Sequence, residues 1–302
     1  MKKPAILRSL LFCPANEERK VRKLSGAGAD AVVLDLEDAV AEDQKIAARG
    51  AAREALPMLS GALRTVRVNA FETGLTAGDV EAVVCADLDA IILPKVETAQ
   101  DLARLDRLIA KGEAANGVAA GSIGVIALVE TCVGIAHAGE IAQSCNRLLR
   151  LVFGSGDLGN DLALPTMRGD ITPALAYGRA KIVYDARAAG LPPPLDGPFL
   201  NVRDQAGLEA DCRISRSLGH GGRVCLHPDQ VPVVNRVFSP DPEEVAFARK
   251  VIDAFGQARQ AGSASITVDG TFIDYPIAYK AERIVAMAEA IAARAHLHIG
   301  KA

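Results

Sequence analysis

Two apolar runs in the sequence each end on a carboxylate: SIGVIALVE closes on Glu130, and LLRLVFGSGD closes on Asp157. A strand that buries aliphatic side chains and then presents one acid at its tip is a costly arrangement. An unpaired buried charge is strongly destabilising, so such acids hold a metal, a substrate or a partner cation. No His or Cys cluster lies near either acid. Hard oxygen donors alone favour Mg²⁺ over Zn²⁺, and Mg²⁺ keeps several positions for water and substrate. The competing reading is that both acids pair with Arg67, Lys95 or Arg8. Spacing does not choose between the two.

Other polar residues could support such a centre. In LDLEDAV, Asp35, Glu37 and Asp38 fall within four residues, too close for all three to bind one ion. Alternation puts Asp35 and Glu37 on one face and Asp38 at the turn. They read as partners of an Arg or of metal-bound water, lying behind the ligands together with Lys95 of PKVE. Arg67, in TVRVNAF, suits a bidentate grip on a carboxylate or an oxyanion, and equally a bridge to those acids. His227 in CLHPDQ reads either as a general base or as a hydrogen-bonding turn. Nothing singles out His137, His220, His296 or His298. GSGDLG formally matches GxGxxG, but it lies mid-chain and no acid follows about twenty residues on. Its glycines read as turn formers that let Asp157 face a pocket.

The elements that must position these residues recur along the chain. Strand-like runs cover residues 6–12, 31–36, 65–68, 90–93, 124–129 and 148–153, weakly 198–200, and then 224–226. Intervening pieces such as TAQDLARLDRLIAKGEAA carry apolar residues at helical spacing. Eight alternating units predict an α/β protein, a (β/α)₈ TIM barrel, over a doubly wound sheet. A barrel gathers its strand C-termini on one face, so CPAN, DLEDAV, RVNAFE, PKVE, ETC, GSGDLGND and HPDQ would converge there. The barrel is expected over residues 1–240, with a C-terminal helical and lid extension over 241–302. That extension reads as a helix, a small-residue break at Gly262 to Ser265, a hairpin or ordered loop in ITVDGTFIDYP, and a final helix. It is expected to pack on its own barrel, on a neighbouring subunit, or on both.

Composition bounds the alternatives. Of 302 residues 50% are hydrophobic and none is Trp, so the core is aliphatic, as in parallel strands buried on both faces. The net charge of −3 gives no reason to expect nucleic acid or an anionic membrane as partner. Six cysteines without paired spacing suggest a reduced, cytoplasmic protein. The start, MKKPAILRSLLFCPANEER, faintly mimics a signal peptide, but Arg8 interrupts the apolar stretch and no small-residue cleavage site follows. No run approaches the length of a membrane span.

Taken in order, RSLLFCPAN, ADAVVLDLEDAV, RVNAFETG, AIILPKVE, ALVET, VFGSGDLGNDL, GGRVCLHPDQV and the tail GTFIDYP resemble the citrate lyase β-subunit-like family of CoA-ester lyases. That group includes malyl-CoA and citramalyl-CoA lyases, within the wider HpcH/HpaI aldolase superfamily. The resemblance implies a barrel that binds Mg²⁺ through Glu130 and Asp157, with Arg67 contacting the substrate carboxylate or thioester oxygen. It implies an acid/base Asp in a lid laid over the adjacent subunit; Asp274 matches best, with Asp269 five residues away. It further implies homotrimers or hexamers that take an acyl-CoA and release a 2-oxo acid. Lys20, Lys23, Lys45 and Arg49 are possible cations for the CoA phosphates.

Two departures from relatives bear on the pocket: LFCPAN where they often have LFVPG, and GSGDLGNDLAL in place of a more acidic loop. The His of a GEH-type motif, the base of the pyruvate aldolase branch, is replaced by LEDAV, which argues for the CoA-ester branch. The expected activity is Mg²⁺-dependent retro-Claisen cleavage of a citryl-, malyl- or citramalyl-CoA type substrate. The alternatives are a metal-dependent aldolase acting on free 4-hydroxy-2-oxo acids and a non-catalytic barrel subunit or binding protein.

Overall fold

The computed structural model describes residues 6–165 and 172–299. Met1 to Ala5, which begin the leader-like stretch, and the side chains of His296 and His298 lie outside the described set. The chain divides into two compact units, one ending at Arg236 and the other beginning at Val237.

The first unit is a closed barrel of eight parallel strands. They are β1 (Ser9–Pro14), β2 (Ala31–Asp35), β3 (Leu63–Arg67), β4 (Ala90–Leu93), β5 (Gly124–Val129), β6 (Leu148–Phe153), β7 (Leu195–Asp196) and β8 (Gly222–Cys225). β1 pairs with β8 as well as with β2, so the sheet has no edge and the doubly wound alternative is excluded. Inward residues alternate: Leu10, Val33, Ile92, Ile126, Leu128, Val152, Leu195 and Val224 form one buried cluster, with Phe12 and Leu63 against it. The intervening residues Leu34, Val66, Ile91, Val125 and Leu151 are also buried, because the surrounding helices cover the outer face. One such helix, Ala99–Ala115, is started by a reciprocal cap between Thr98 and Asp101.

β2, β3 and β8 shift by one or two residues from expectation, and β1 and β7 differ more. β1 begins at Ser9 rather than Ile6: Arg8 gives its backbone N–H to Asp30 Oδ2 at 2.7 Å, while its carbonyl still accepts the N–H of Arg223. β1 then runs on to Pro14, opposite Asp35. β7 lies at Leu195–Asp196, not at 198–200. Pro192, Pro193 and Pro194 before it and Pro198 after it lack an N–H, which leaves two residues able to pair. Asp196 is nevertheless buried and bound by Arg179 and Ser215. Among the described residues no helix is long and apolar enough to cross a membrane.

The second unit has its own core of Ala248, Val251, Phe255, Val268, Ile273, Ala278 and Ala281. Helix Pro242–Gln260 starts on Asp241, whose side chain accepts the N–H of Glu243. β9 (Ile266–Val268) and β10 (Thr271–Ile273) pair as an antiparallel hairpin. Asp269 and Gly270 form its two-residue turn, at φ 48° and 80°. Helix Tyr275–Ile299 follows.

Candidate active site and metal centre

Strand parity decides which polar residues enter the barrel mouth. Asp35 continues the inward series of Ala31 and Val33, Arg67 that of Leu63, and Glu130 that of Ile126 and Leu128. The same rule puts Phe12 inside on β1. All four sit at strand C-termini, so they meet at one face.

Asp35 and Arg67 are register partners across β2 and β3. Arg67 Nε donates to Asp35 Oδ1 at 2.7 Å and Nη2 donates to Oδ2 at 2.6 Å. Asp35 also accepts the backbone N–H groups of Glu37 and Ala39. Arg67 Nη1 lies 2.8 Å from Glu37 Oε2 and donates to Asp38 Oδ2 at 3.4 Å. The guanidinium lies 5.0 Å from the centroid of the Phe12 ring. It is thereby fixed by two fork-like bonds and an aromatic platform. Glu37 is buried, and burial pushes its carboxyl up to about 7 against the pull of Arg67. Lys95 Nζ stands 3.8 Å from Glu37 Oε1.

Glu130 is 3% exposed, and its Oε1 accepts the backbone N–H of Lys95 at 2.9 Å. That N–H is aimed by an unusual backbone: Lys95 adopts φ 50°, the left-handed region that non-glycine residues rarely enter. On the other side, Val129 opposes Phe153, and Gly154 N–H donates to Val129 O. A Cβ at Gly154 would stand 2.3 Å from Glu130 Cβ and 2.5 Å from Oε2. The expectation of a turn-forming glycine is corrected here: Gly154 has an ordinary φ of −97° and is small to make room for Glu130. Asp157 lies half-buried in the first turn of helix Ser155–Asp161, whose N-terminus follows Gly154.

Neither acid has a counter-cation within 4 Å among the described residues. Arg8 is bound to Asp30, Arg67 to Asp35, and Lys95 is nearest Glu37. The pairing alternative is therefore not what the barrel does with these two residues. Burial and then the charge of Asp157 hold the Glu130 carboxyl well above the ordinary carboxylate range. A buried acid seated against a glycine, facing a second acid and lacking a cation, fits a divalent metal ion. No group of three or more His, Cys, Asp or Glu side chains able to hold a metal occurs among the described residues. Two carboxylates with open positions around them fit Mg²⁺, not a closed protein cage.

Several other expected participants are placed differently. Lys45 is buried and donates to Glu37 O, Leu36 O and Asn69 Oδ1. Arg49 donates to Asp79 Oδ1, and Asp79 in turn holds Asn69. Lys45 and Arg49 thus brace the loops after β2 and β3 and are not open to a phosphate, whereas Lys20 and Lys23 are exposed. His227 is exposed and its Nδ1 accepts the N–H of Asp229, the hydrogen-bonding turn of the two readings. His220 is buried in the barrel wall against Arg179 O. In the second unit, Asp274 heads helix Tyr275–Ile299 and its Oδ1 accepts the N–H of Ile277 at 3.3 Å. Asp269 occupies the hairpin turn and is ion-paired with Lys250.

Sequence reasoning missed Phe12 as the platform for Arg67, Gly154 as the seat of Glu130, and the left-handed turn at Lys95. Parity along β1 was the available signal for Phe12. The contact of Gly154 with Glu130 depends on β5–β6 register, and a positive φ at lysine leaves no mark in composition.

Comparison with known proteins follows the same outline. The family model described as HpcH/HpaI aldolase/citrate lyase matches residues 8–228. The citrate lyase subunit beta of Leuconostoc mesenteroides is 33% identical over 292 residues, covering 96% of each chain. A (3S)-malyl-CoA thioesterase of Cereibacter sphaeroides is 36% identical over 288 residues, 95% of this chain and 96% of the other. The crystal structure of CitE from Mycobacterium tuberculosis, in complex with magnesium, acetoacetate and coenzyme A, superposes with a TM-score of 0.76. It is 33% identical, with 95% of this chain and 99% of that one covered.

Proposed function

The chain belongs to the HpcH/HpaI aldolase/citrate lyase family of carbon–carbon lyases, and from that premise we propose that it cleaves a 3-hydroxyacyl-CoA by Mg²⁺-dependent retro-Claisen chemistry. The observation that carries this reading is the Glu130–Asp157 pair, two acids without a counter-cation beside a firmly held arginine. Citryl-, malyl- or citramalyl-CoA are the proposed substrates, giving acetyl-CoA or a homologue and a 2-oxo acid. The magnesium-, acetoacetate- and coenzyme A-bound relative supports the class of ligand.

Glu130 and Asp157 would hold Mg²⁺, which supplies the Lewis acidity that lowers the pKa of the substrate hydroxyl. Arg67 stands ready for negative charge on the thioester oxygen as the Cα–Cβ bond breaks. Its Nε and Nη2 are anchored on Asp35, so the guanidinium need not reorganise during the reaction. The electron pair of the broken bond passes to the acyl-CoA carbon as an enolate, and the hydroxyl proton passes to solvent water as the oxo group forms. Asp274, from the second unit of an adjacent subunit in a homotrimer or hexamer, hands a proton to the enolate carbon. Asp35, Glu37, Asp38 and Lys95 hold this arrangement from behind.

One relative favours a second reading. The (3S)-malyl-CoA thioesterases are at least as similar as the citrate lyase subunit, so hydrolysis of the thioester by water on the same platform is the rival outcome. A panel of 3-hydroxyacyl-CoA esters, assayed with and without Mg²⁺, tests the proposal. Release of acetyl-CoA or propionyl-CoA with a 2-oxo acid supports the lyase. Turnover of a free 4-hydroxy-2-oxo acid without CoA overturns it in favour of an aldolase.

A further inference from the structure

The barrel mouth carries an imbalance of charge that the proposed chemistry leaves unexplained. Asp35, Glu37, Asp38, Glu130 and Asp157 supply five acids, against Arg67, Lys95 and the buried Lys45, whose ammonium is taken up by Leu36 O, Glu37 O and Asn69 Oδ1. Arg67 is committed to Asp35 by two short hydrogen bonds. Lys95 is held differently. Its closest acid, Glu37, is 3.8 Å away, beyond hydrogen-bond reach, and its side chain is 37% exposed. The left-handed backbone at Lys95 serves both acid groups at once. It turns the N–H onto Glu130 Oε1 at 2.9 Å and sends the ammonium toward Glu37. A glycine would adopt that backbone at no steric cost, yet the residue is a lysine, so the side chain has a use of its own.

We propose that the Lys95 ammonium is the built-in counter-cation of the metal-free site, lying loosely among the acids until Mg²⁺ takes over their charge. Lys95 is thus a positioning residue with two separable parts. Its N–H fixes Glu130 for the metal, and its ammonium opposes metal binding while stabilising the metal-free form. A loose, half-exposed ammonium near Glu37 can turn out into water as the metal arrives. An arginine forked onto Glu130 would have to break two strong bonds first. The inference rests on Glu130 and Asp157 being the Mg²⁺ ligands.

The test is Mg²⁺ titration calorimetry on the folded protein, without substrate, for wild type, Lys95→Met, Lys95→Gly and Lys95→Arg. Lys95→Met keeps the N–H and removes the charge, and it should tighten Mg²⁺ binding roughly tenfold. That is the scale of a +1/+2 repulsion across ~6 Å of water-like medium. The gain should shrink as salt is raised. Lys95→Gly should tighten binding similarly, since it too loses the charge and keeps the N–H in an unstrained turn. Lys95→Arg keeps the charge and can fork onto Glu130, so it should bind Mg²⁺ no more tightly than wild type. The melting temperature of metal-free Lys95→Met should fall below that of wild type, and the two should converge when Mg²⁺ is saturating. Unchanged or weaker Mg²⁺ binding in both Lys95→Met and Lys95→Gly overturns the proposal. Glu130→Gln and Asp157→Asn serve as the control for the premise. If they bind Mg²⁺ like wild type, the metal site itself is misassigned, a result distinct from failure at Lys95.

Discussion

Asp35 and Arg67 face each other across the β2–β3 ladder and share two hydrogen bonds, of 2.7 and 2.6 Å, with both side chains buried. Parallel register makes this pair, and the two backbone N–H groups that also bind Asp35 keep its carboxylate oriented. Breaking a buried pair leaves an uncompensated charge, which costs about 3–5 kcal/mol. Asp35→Ala should lower unfolding stability by that order in urea titrations. It should also reduce lyase kcat, because Arg67 is released toward Glu37 and Asp38. A stable, fully active Asp35→Ala protein would show that Arg67 needs no anchor.

Gly154→Ala tests the seat of Glu130. The added Cβ would meet Glu130 Cβ at 2.3 Å, so the carboxylate must move while the barrel stays closed. Mg²⁺ affinity measured by calorimetry should fall about 10–100-fold, the usual effect of disturbing a metal ligand's support. The circular dichroism spectrum should be unchanged. Wild-type affinity in this variant would separate Glu130 from the metal.

Much of this arrangement was legible in the sequence, for reasons that can be named. Period-2 alternation placed Asp35, Arg67 and Glu130 at strand tips, and eight repeats forced those tips onto one face. What could not be read depended on neighbours distant in sequence. The two-residue β7 was masked by prolines, which erase the ladder without erasing the apolar pattern that suggested residues 198–200. Lys45 read as a possible cation for the CoA phosphates, but its ammonium is satisfied by two carbonyls and Asn69 from other segments. Nor could spacing show that Glu130 and Asp157 lack a cation, since Arg8 and Arg67 find closer acids on adjoining strands.

The pH dependence of stability follows from the two raised carboxyls. Folding lifts Glu37 from 4.5 to about 7 and holds Glu130 well above 4.5. Between those limits the folded state binds protons that the unfolded chain has released. Stability of the metal-free protein therefore falls as pH rises through this window. If Glu130 is a Mg²⁺ ligand as proposed, metal binding competes with its protonation, so the stabilising effect of Mg²⁺ should grow over the same range. Thermal melts with and without Mg²⁺, from about pH 5 to about pH 8, check this. A Mg²⁺-induced gain that is largest at the acid end would contradict it.

Asp269 and Asp274 are separated by their roles in the second unit. Asn tolerates both the left-handed turn at Asp269 and the helix cap at Asp274, so Asn variants remove the acid while sparing the fold. Asp269→Asn loses an exposed ion pair with Lys250, which contributes little, and should retain lyase activity. Asp274→Asn should keep its melting temperature and lose activity about 10²–10⁴-fold, the range for removing a general acid. Kinetics on the purified protein decide the matter, and full activity in Asp274→Asn would remove it from the mechanism.

The most direct measurement follows both possible products of a malyl-CoA type substrate in one reaction: the 2-oxo acid and the free thiol of CoA. With Mg²⁺, wild type should release 2-oxo acid and acetyl-CoA in equal amounts with no free thiol. Glu130→Gln and Asp157→Asn should each abolish that release. Free thiol without 2-oxo acid, or undiminished 2-oxo acid from the two variants, would contradict the account.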